Sequence, residues 1–482
     1  MKKILSVLLA IFIMFTMTAC EDNERAGVLP AVDITAATAG PDAGTAGAAG
    51  DAGVSGASGA SGASDINADI LDMGKEDNTR ITVAIGSPGD RYMETAAKRF
   101  QDENPGIVVE LKYYTSMGET MTQQTEDGGT LVISENTDPG GEKYVKTLNT
   151  ELMSGAGPDI IDTFNVPCGK FADNGFLCDL LPIIRQDAGF DKSIYYESIM
   201  DGVKYKDGLY TMPVGFTIDL LSAVYELPKE AVSNGLTLDA FFSLAGGVLK
   251  ANGVSGTYVL YDSEETLFRN MLKRYYGDFV NEDSRECDFT SGKFVNLIEC
   301  IKRAMDNKLL YRSDKYSRSD KGWEDLFFLM EYRYESNYLA AYKDPVKHNL
   351  IYAIPSMSGE SAVFANIHKA YGINSNSKSK GAAWKFIKFL ISEQMQTSPE
   401  FFLFPVNKAA MAQKIEREKD DGTNMELTAN DRVFSEISVY ANQDNQITVI
   451  ILEETMKYFD GQRTAEETAR ILQSRIDLMV KE

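Results

Sequence analysis

Residues 80–113 alternate between strand and helix, and this alternation constrains the fold more than any other feature of the chain. Residues 80–85 place apolar side chains at every second position, which predicts a strand. Apolar residues then recur at helical spacing over 92–100, and Asn104-Pro105-Gly106 ends that helix. Residues 107–113 are rich in β-formers. A strand, a helix and a strand within about 35 residues form a βαβ unit, so we expect an α/β fold with parallel strands.

The same alternation continues along the chain. Residues 144–152 predict a helix, Ser154–Pro158 ends it, and Asp159–Ile161 begins the next strand. Residues 115–141 are polar, acidic and glycine-rich, which predicts an exposed insertion. Further amphipathic helices are expected at 294–305, at 384–391 and after the capping box that begins at Thr464. We interpret their apolar stripes as core.

Length and charge limit the classes of function. The chain has 482 residues, of which the first 78 are not globular in composition, and the remainder suits two lobes of about 200 residues each. The net charge of −23 disfavours nucleic acid and anionic lipid as partners. The two histidines, His348 and His368, lack metal-ligand spacing, and no cofactor motif is present. Catalysis that needs a histidine base is therefore disfavoured, while a pair of carboxylates stays open.

The N-terminus predicts export. Lys2 and Lys3 precede an apolar run over 4–17, which is too short to span a membrane and has the length of a signal-peptide core. Met17-Thr18-Ala19-Cys20 is similar to a bacterial lipobox, which would make residues 1–19 a signal peptide and Cys20 a lipidated first residue anchored by two acyl chains. Ordinary cleavage after Ala19, with a free Cys20, is the alternative.

A tether is predicted to follow Cys20. Residues 36–64 consist almost entirely of Ala, Gly, Ser and Thr, which cannot bury enough apolar surface to fold. We expect residues 20–78 to be a disordered linker, whose low-complexity part spans about 30 Å as a flexible coil. Four more cysteines, at 168, 178, 287 and 300, leave disulfide pairing open in an oxidising compartment.

Four segments carry motifs that occur together in one protein family. They are Ile81–Glu110, Leu148–Ile161 with the following Gly175–Leu180, Gly372–Lys408, and the terminal helix after Gly461. The second is the most specific and reads Leu-Asn-Thr-Glu-Leu-Met-Ser-Gly-Ala-Gly-Pro-Asp-Ile-Ile. In this order, and over most of residues 79–482, the chain resembles the family 1 extracellular solute-binding proteins, the maltose-binding-like group.

The resemblance implies a two-lobe α/β fold of the periplasmic-binding-protein type, with a hinge and a ligand cleft between the lobes. Lobe 1 would comprise 79–212 with about 353–410, and lobe 2 would comprise 213–352 with about 411–482. It implies a monomeric lipoprotein that captures a small solute, most simply a sugar, and delivers it to the permease of an ABC importer. The expected location is the outer face of the cell membrane, and the long tether favours a Gram-positive surface.

The loops after two predicted strands supply candidate ligand-binding residues, because strand ends line the sites of α/β sheets. The first set is Ser87, Asp90, Arg91 and Tyr92, for which a Pro-Gly turn and helix cap is the alternative. The second is Thr163, Phe164 and Asn165, which follow Asp162. Phe216, beyond the expected hinge, is a further candidate.

Trp323 is the candidate from the second lobe, because an exposed aromatic ring packs well on a sugar. The alternative is an amphipathic helix over Trp323–Tyr334. Trp384 is expected in the core. The sequence leaves two other classes of function open, a lipid-anchored hydrolase that uses two carboxylates and a sensory or adhesive lipoprotein on the same scaffold.

Overall fold

The fold is described from a computed structural model. It describes residues 79–86, 90–114, 117–124, 130–136, 141–233, 235–254, 256–281, 284–311, 326–332, 350–360, 362–419, 437–440 and 443–481.

Strands and helices alternate over most of these ranges. The strands are β1 (Thr79–Ile85), β2 (Ile107–Tyr113), β3 (Met117–Gln124), β4 (Thr130–Asn136), β5 (Ile160–Asp162), β6 (Met212–Ala223), β7 (Val280–Asn281), β8 (Glu286–Cys287), β9 (Phe328–Tyr332), β10 (Leu350–Tyr352), β11 (Phe364–Ile373), β12 (Phe404–Pro405) and β13 (Ser438–Val439). The helices are α1 (Arg91–Glu103), α2 (Glu142–Met153), α3 (Cys168–Asp173), α4 (Leu180–Gln186), α5 (Glu197–Gly202), α6 (Lys229–Ser233), α7 (Leu238–Ala251), α8 (Glu264–Phe279), α9 (Lys293–Asp306), α10 (Lys380–Leu390), α11 (Glu393–Gln396), α12 (Lys408–Lys419), α13 (Asn445–Phe459) and α14 (Ala465–Lys481), with a 3-10 turn at Lys192–Ile194.

The predicted βαβ unit is confirmed. Strands β1 and β2 pair in parallel, with Thr79 opposite Ile107 and Ile85 opposite Tyr113, and α1 makes the crossover. The carboxylate of Asp90 caps α1 by accepting the Met93 N–H at 3.1 Å. The expected insertion at 115–141 contributes an antiparallel hairpin, β3 with β4.

Within the described ranges, nine strands form one mixed sheet. Its main path is β10-β6-β11-β5-β1-β2, with β9 and β12 pairing to β6 and β13 to β11. Strand β6 is the axis of this sheet, and all twelve of its residues are buried. Its first part pairs with β11, and its last part pairs with β9 and β10.

Two hydrophobic cores meet along β6. The first core covers both faces of β1 and β5, since Ile160 belongs to one cluster and Ile161 to another on the opposite face. The second core begins at Leu221 and includes α7, α8, α9, α13 and α14. The chain changes core between Leu220 and Leu221, returns after Ile354, and leaves the first core again between Ile437 and Ile447. The lobe limits expected at residues 212 and 410 stay predictions. The corresponding changes of core lie further along the chain, after Leu220 and after Ile437.

Two predictions about helices are confirmed in detail. Trp384 is fully buried in the first core, and its indole N–H donates to Asp187 at 2.8 Å. The capping box precedes α14: Thr464 N–H donates to Glu467 at 3.0 Å, and Glu467 N–H donates to the Thr464 hydroxyl at 3.1 Å.

Cys168, Cys178, Cys287 and Cys300 are free thiols. In the part of the chain that the structure describes, no helix has the length and apolar character needed to cross a membrane.

Candidate functional site

Strand β11 provides a floor between the two cores. Its end, Tyr371–Ile373, pairs with β5, while Phe364–Ala370 continues beyond the end of β5 alongside β6. The pairing with β6 is irregular around His368, where the register shifts on both sides of Lys369. Residues 366–369 are partly exposed. This stretch therefore offers side chains to the space beyond the carboxyl end of β5, where sites in α/β sheets form.

A cluster of charges lies at that end. Lys369 forms an ion pair with Asp90, the residue that caps α1, and both side chains are mostly buried. Burial raises the pKa of Asp162, the last residue of β5, while the Lys369 charge opposes that rise and the Asp90 charge adds to it. The ammonium group of Lys369 and the carboxyl groups of Asp90 and Asp162 therefore place a hydrogen-bond donor and several acceptors close together.

An aromatic platform lies beside this cluster. The ring of Phe164 is 44% exposed and stacks on the imidazole of His368, with centroids 5.1 Å apart. The Phe164 N–H donates to Asp162 at 3.1 Å, which ties the backbone of the loop to the end of β5. The platform and the charged cluster therefore occupy neighbouring positions on β11.

The second core presents a matching set of strand ends. Leu260 bridges both Leu310 and Phe327 in parallel, so the carboxyl ends of these three segments point the same way. Strand β9 follows Phe327 and runs antiparallel to β6, from Phe328 opposite Ser222 towards Tyr332 opposite Ile218. Because Ile218 belongs to the first core and Leu221 to the second, these strand ends point towards the boundary between the cores.

Aromatic rings and one carboxylate gather at these ends. The Tyr261 ring stacks on Tyr311 with centroids 5.0 Å apart and lies 4.8 Å from Phe328. The next residue, Asp262, accepts the Leu329 N–H at 3.3 Å. Burial raises the pKa of Asp262 to about 7, although that hydrogen bond opposes the rise. Like the site on the first core, this one combines aromatic rings with a buried carboxyl group.

Polar contacts connect the two cores at the centre of β6. The Asp219 carboxylate is almost fully buried and accepts from Asn366 of β11 at 3.0 Å and from Lys273 of α8 at 3.3 Å. The Arg274 guanidinium lies 5.0 Å from the centre of the Phe364 ring, which stacks on Tyr440 at 4.9 Å. These groups lie where the chain passes between the cores, which is where a hinge would act.

The candidates predicted from the sequence fall into four groups. Asp90 and Phe164 contact Lys369 and His368, so the structure brings them together. Arg91 is the first residue of α1 and is exposed. Asn165 is partly buried and packs so closely on Gly141 that a Cβ atom on that glycine would lie only 2.8 Å from the Asn165 Cβ.

Three predicted contacts need correction because the side chains are in the core. Tyr92 is 2% exposed and donates to the Leu390 carbonyl at 2.5 Å. Thr163 is 5% exposed and its hydroxyl bonds that of Thr211. Phe216 is fully buried against Phe404. Tyr92 and Thr163 lie close to Asp90 and Phe164 in sequence, but their side chains are packed in the core, as is that of Phe216.

Ser87, Trp323 and Cys20 lie outside the described residues, so their roles stay predictions. The helical alternative for Trp323–Tyr334 is wrong over Phe328–Tyr332, which is strand β9. It failed because a short run of apolar residues such as Leu326, Phe327 and Met330 suits a strand as well as a helix, and the pairing of β9 with β6 decides between them.

Several site residues were not predicted. Lys369 and His368 lie inside β11, and no loop signal marks a residue in mid-strand. Asp262 follows the β-formers of 257–261 and precedes the helix cap Ser263, which is the strand-end signal that pointed to Asp162. That signal could have found it. Within the described ranges, no group of three His, Cys, Asp or Glu side chains is placed to hold a metal ion.

Comparison with solved structures identifies the fold. The chain superposes on the sugar-binding protein MalE of Xanthomonas citri with a TM-score of 0.61 and 14% identity, covering 84% of this chain and 98% of that one. It superposes on an ABC substrate-binding protein of Listeria monocytogenes in complex with cycloalternan with a TM-score of 0.55 and 17% identity, covering 84% and 100%. A periplasmic oligogalacturonide-binding protein of Yersinia enterocolitica gives a TM-score of 0.56 and 18% identity, covering 84% and 99%. At such identities the likeness shows the two-lobe α/β fold.

A family model matches more than half of the chain. The matching residues are 117–420, and the family is described as bacterial extracellular solute-binding protein. A search of curated protein sequences found no match. The resemblance predicted from the four sequence segments is thereby confirmed, and the chain belongs to the bacterial extracellular solute-binding protein family.

Proposed function

We propose that this protein captures a carbohydrate between its two cores and delivers it to an ABC importer from the outer face of the membrane. One observation carries the proposal. Strands of both cores end at the boundary between the cores. The first core presents the exposed ring of Phe164 and the desolvated carboxyl group of Asp162 there. The second core presents the half-buried ring of Tyr261 and the desolvated carboxyl group of Asp262. The two cores correspond to the two lobes of the proposal.

The chemistry of these surfaces suits a sugar. Aromatic faces pack on the C–H groups of a pyranose ring, and carboxylates and Lys369 can accept from or donate to its hydroxyls. The solved structures on which the chain superposes include a complex with cycloalternan, a sugar-binding protein and an oligogalacturonide-binding protein, which supports a carbohydrate as the class of ligand.

Capture needs both lobes. A ligand bound with micromolar affinity contributes about 8 kcal/mol, but it shifts an open–closed equilibrium only by its difference in affinity for the two states. Contacts of the ligand with Phe164 alone would be the same in the open and the closed state, so they would not favour closure. Contacts from Tyr261 or Asp262 as well would exist only when the lobes approach, so closure about β6 and β11 follows from ligand shared between the lobes.

The test is a thermal-shift screen of the purified protein against neutral oligosaccharides, uronate oligosaccharides, peptides and metal ions. We expect a sugar to raise the melting temperature without being consumed, and scattering to show compaction on binding. Product formed from the sugar would favour the carboxylate-dependent hydrolase instead. Stabilisation only by peptides or metal ions would contradict a carbohydrate ligand.

The importer and the anchor rest on other observations. The family is extracellular, which places the protein outside the cytoplasm. Lipidation at Cys20 would keep it near its permease while the tether lets it reach the transporter. Sugar uptake that disappears on deletion of the protein and returns with it would support an importer. Sugar binding with unchanged uptake would favour the sensory or adhesive alternative.

A further inference from the structure

We propose that an ion pair outside the sugar site, between Lys170 and Asp444, sets how closely the two lobes approach and thereby tunes ligand affinity. The proposal rests on the two-lobe function above and adds a residue pair that controls it. Lys170 Nζ lies 3.4 Å from Asp444 Oδ2. Lys170 is in α3 next to Phe171 of the first core, and Asp444 precedes Ile447 of the second.

Both partners are held by their own lobe. Helix α3 begins a few residues after Phe164, so Lys170 moves with the platform on the first core. Asp444 caps α13: its Oδ1 accepts the Gln446 and Ile447 N–H groups at 2.8 and 3.2 Å, and its own N–H donates to Tyr276 of α8 at 3.1 Å. Oδ2 is left to face Lys170. The pair therefore joins two rigid anchors across the lobe boundary.

A second pair of charges faces the same boundary. A cavity of 120 Å³ is lined by Lys170 and Asp173 of the first lobe and by Arg285 and Ile447 of the second. The Lys206 hydrogen bond lowers the pKa of Asp173, and the positive charge of Arg285 contributes in the same direction from the opposite wall. Two pairs of opposite charges, Lys170 with Asp444 and Asp173 with Arg285, therefore face each other across the boundary between the lobes.

The electrostatics give the pair an effect on lobe spacing. Coulomb attraction falls with distance and is screened by salt within about 8–10 Å, so hinge rotation that separates the lobes loses it. The Lys170 side chain is 49% exposed and Asp444 11% exposed, so the pair is a modest contribution that favours approached lobes rather than a permanent lock.

A double-mutant cycle on the ligand-free protein tests this. Lys170→Gln removes the cation, and Asp444→Asn removes the anion while keeping a good helix cap. We expect each variant to shift the equilibrium towards separated lobes about two- to fivefold, seen as a larger radius of gyration in small-angle scattering. The double variant should equal either single one. Lys204→Gln is the matched control, because Lys204 pairs with Asp201 within the first lobe.

Salt provides a second readout. Raising salt from low to high concentration should enlarge the wild-type protein more than Lys170→Gln. Equal radii in all variants, with unchanged unfolding midpoints, would overturn the proposal, as would additive effects of the two substitutions. Because no sugar is added, a protein that binds no carbohydrate would refute the proposed function without altering this result.

Discussion

The exposed ring of Phe164 stacks on the imidazole of His368, with their centroids 5.1 Å apart and their planes 29° apart. Phe164 lies at the start of the loop that follows β5, and His368 lies on β11, so a loop and a strand together hold a single flat surface. An exposed aromatic ring that is fixed from behind loses little entropy when a ligand packs on its free face. Phe164 is therefore not part of the core, and we propose its free face as a contact surface for the ligand.

Phe164→Ala should therefore weaken sugar binding about threefold to tenfold, because the stacking surface is lost. The free energy of unfolding should change by less than about 1 kcal/mol, since the ring is already 44% exposed. Calorimetric titration with the best sugar from the screen, together with urea unfolding, measures both quantities.

Phe402→Ala is the matched control, because that ring is also exposed, at 56%, but precedes β12, which pairs with β6, and is not part of the Phe164–His368 stack. It should bind sugar normally. Equal losses of affinity in the two variants would show that removing any surface aromatic perturbs the protein and that Phe164 has no special role.

Trp384→Ala should instead lower the free energy of unfolding by about 3–5 kcal/mol, the usual cost of emptying a buried aromatic site. Trp384→Phe keeps most of the packing but removes the N–H that donates to Asp187, so a cost of about 1–3 kcal/mol is expected. Denaturant unfolding measures both. A near-neutral Trp384→Ala variant would contradict the burial of this residue in the first core.

Local periodicity was enough to predict the first parallel pair of strands, the capping box at Thr464 and the core position of Trp384. These features depend on residues that are close in sequence, within a few helical turns or one strand, so the pattern of apolar residues predicts them. Strand β6 is different. Its burial at every position follows from pairing with β11, β9 and β10, which are more than a hundred residues away in sequence.

The candidate site was predicted in part for the same reason. A strand end can be read from the sequence, so the sequence pointed to Asp90 and Phe164, which contact Lys369 and His368 in the structure. Whether the next side chain points outward cannot be read in this way, and Tyr92 and Thr163 point into the core. Lys369 reaches Asp90 from a strand 279 residues away, a contact that only the fold creates.

The N-terminal motif makes a prediction that depends on neither core. Cys20→Ala should move the protein from the membrane fraction to the soluble or secreted fraction, because two acyl chains are needed for stable anchoring. Cell fractionation and immunoblotting measure it, and a Cys168→Ala variant is the control for loss of a thiol alone. Retention of the Cys20 variant in the membrane would contradict a lipid anchor.

Stability should fall as pH rises from about 4 to about 7, through Asp262. Burial raises the pKa of this carboxyl to about 7, whereas an unfolded aspartate titrates near 4. Between these values the folded state keeps the proton that the unfolded chain has lost, so the folded state binds more protons and the free energy of unfolding decreases with pH. The change is at most about 4 kcal/mol and levels off above the folded pKa.

Asp262→Asn isolates this contribution, because the amide oxygen can still accept the Leu329 N–H but cannot titrate. We expect the variant to match the wild type near pH 4 and to exceed its stability near pH 8, with the difference opening between those values. Urea unfolding at intervals of one pH unit measures the two profiles. If they run parallel, Asp262 does not titrate in this window, and its carboxylate is better solvated than its position among Tyr261, Phe328 and Leu329 implies.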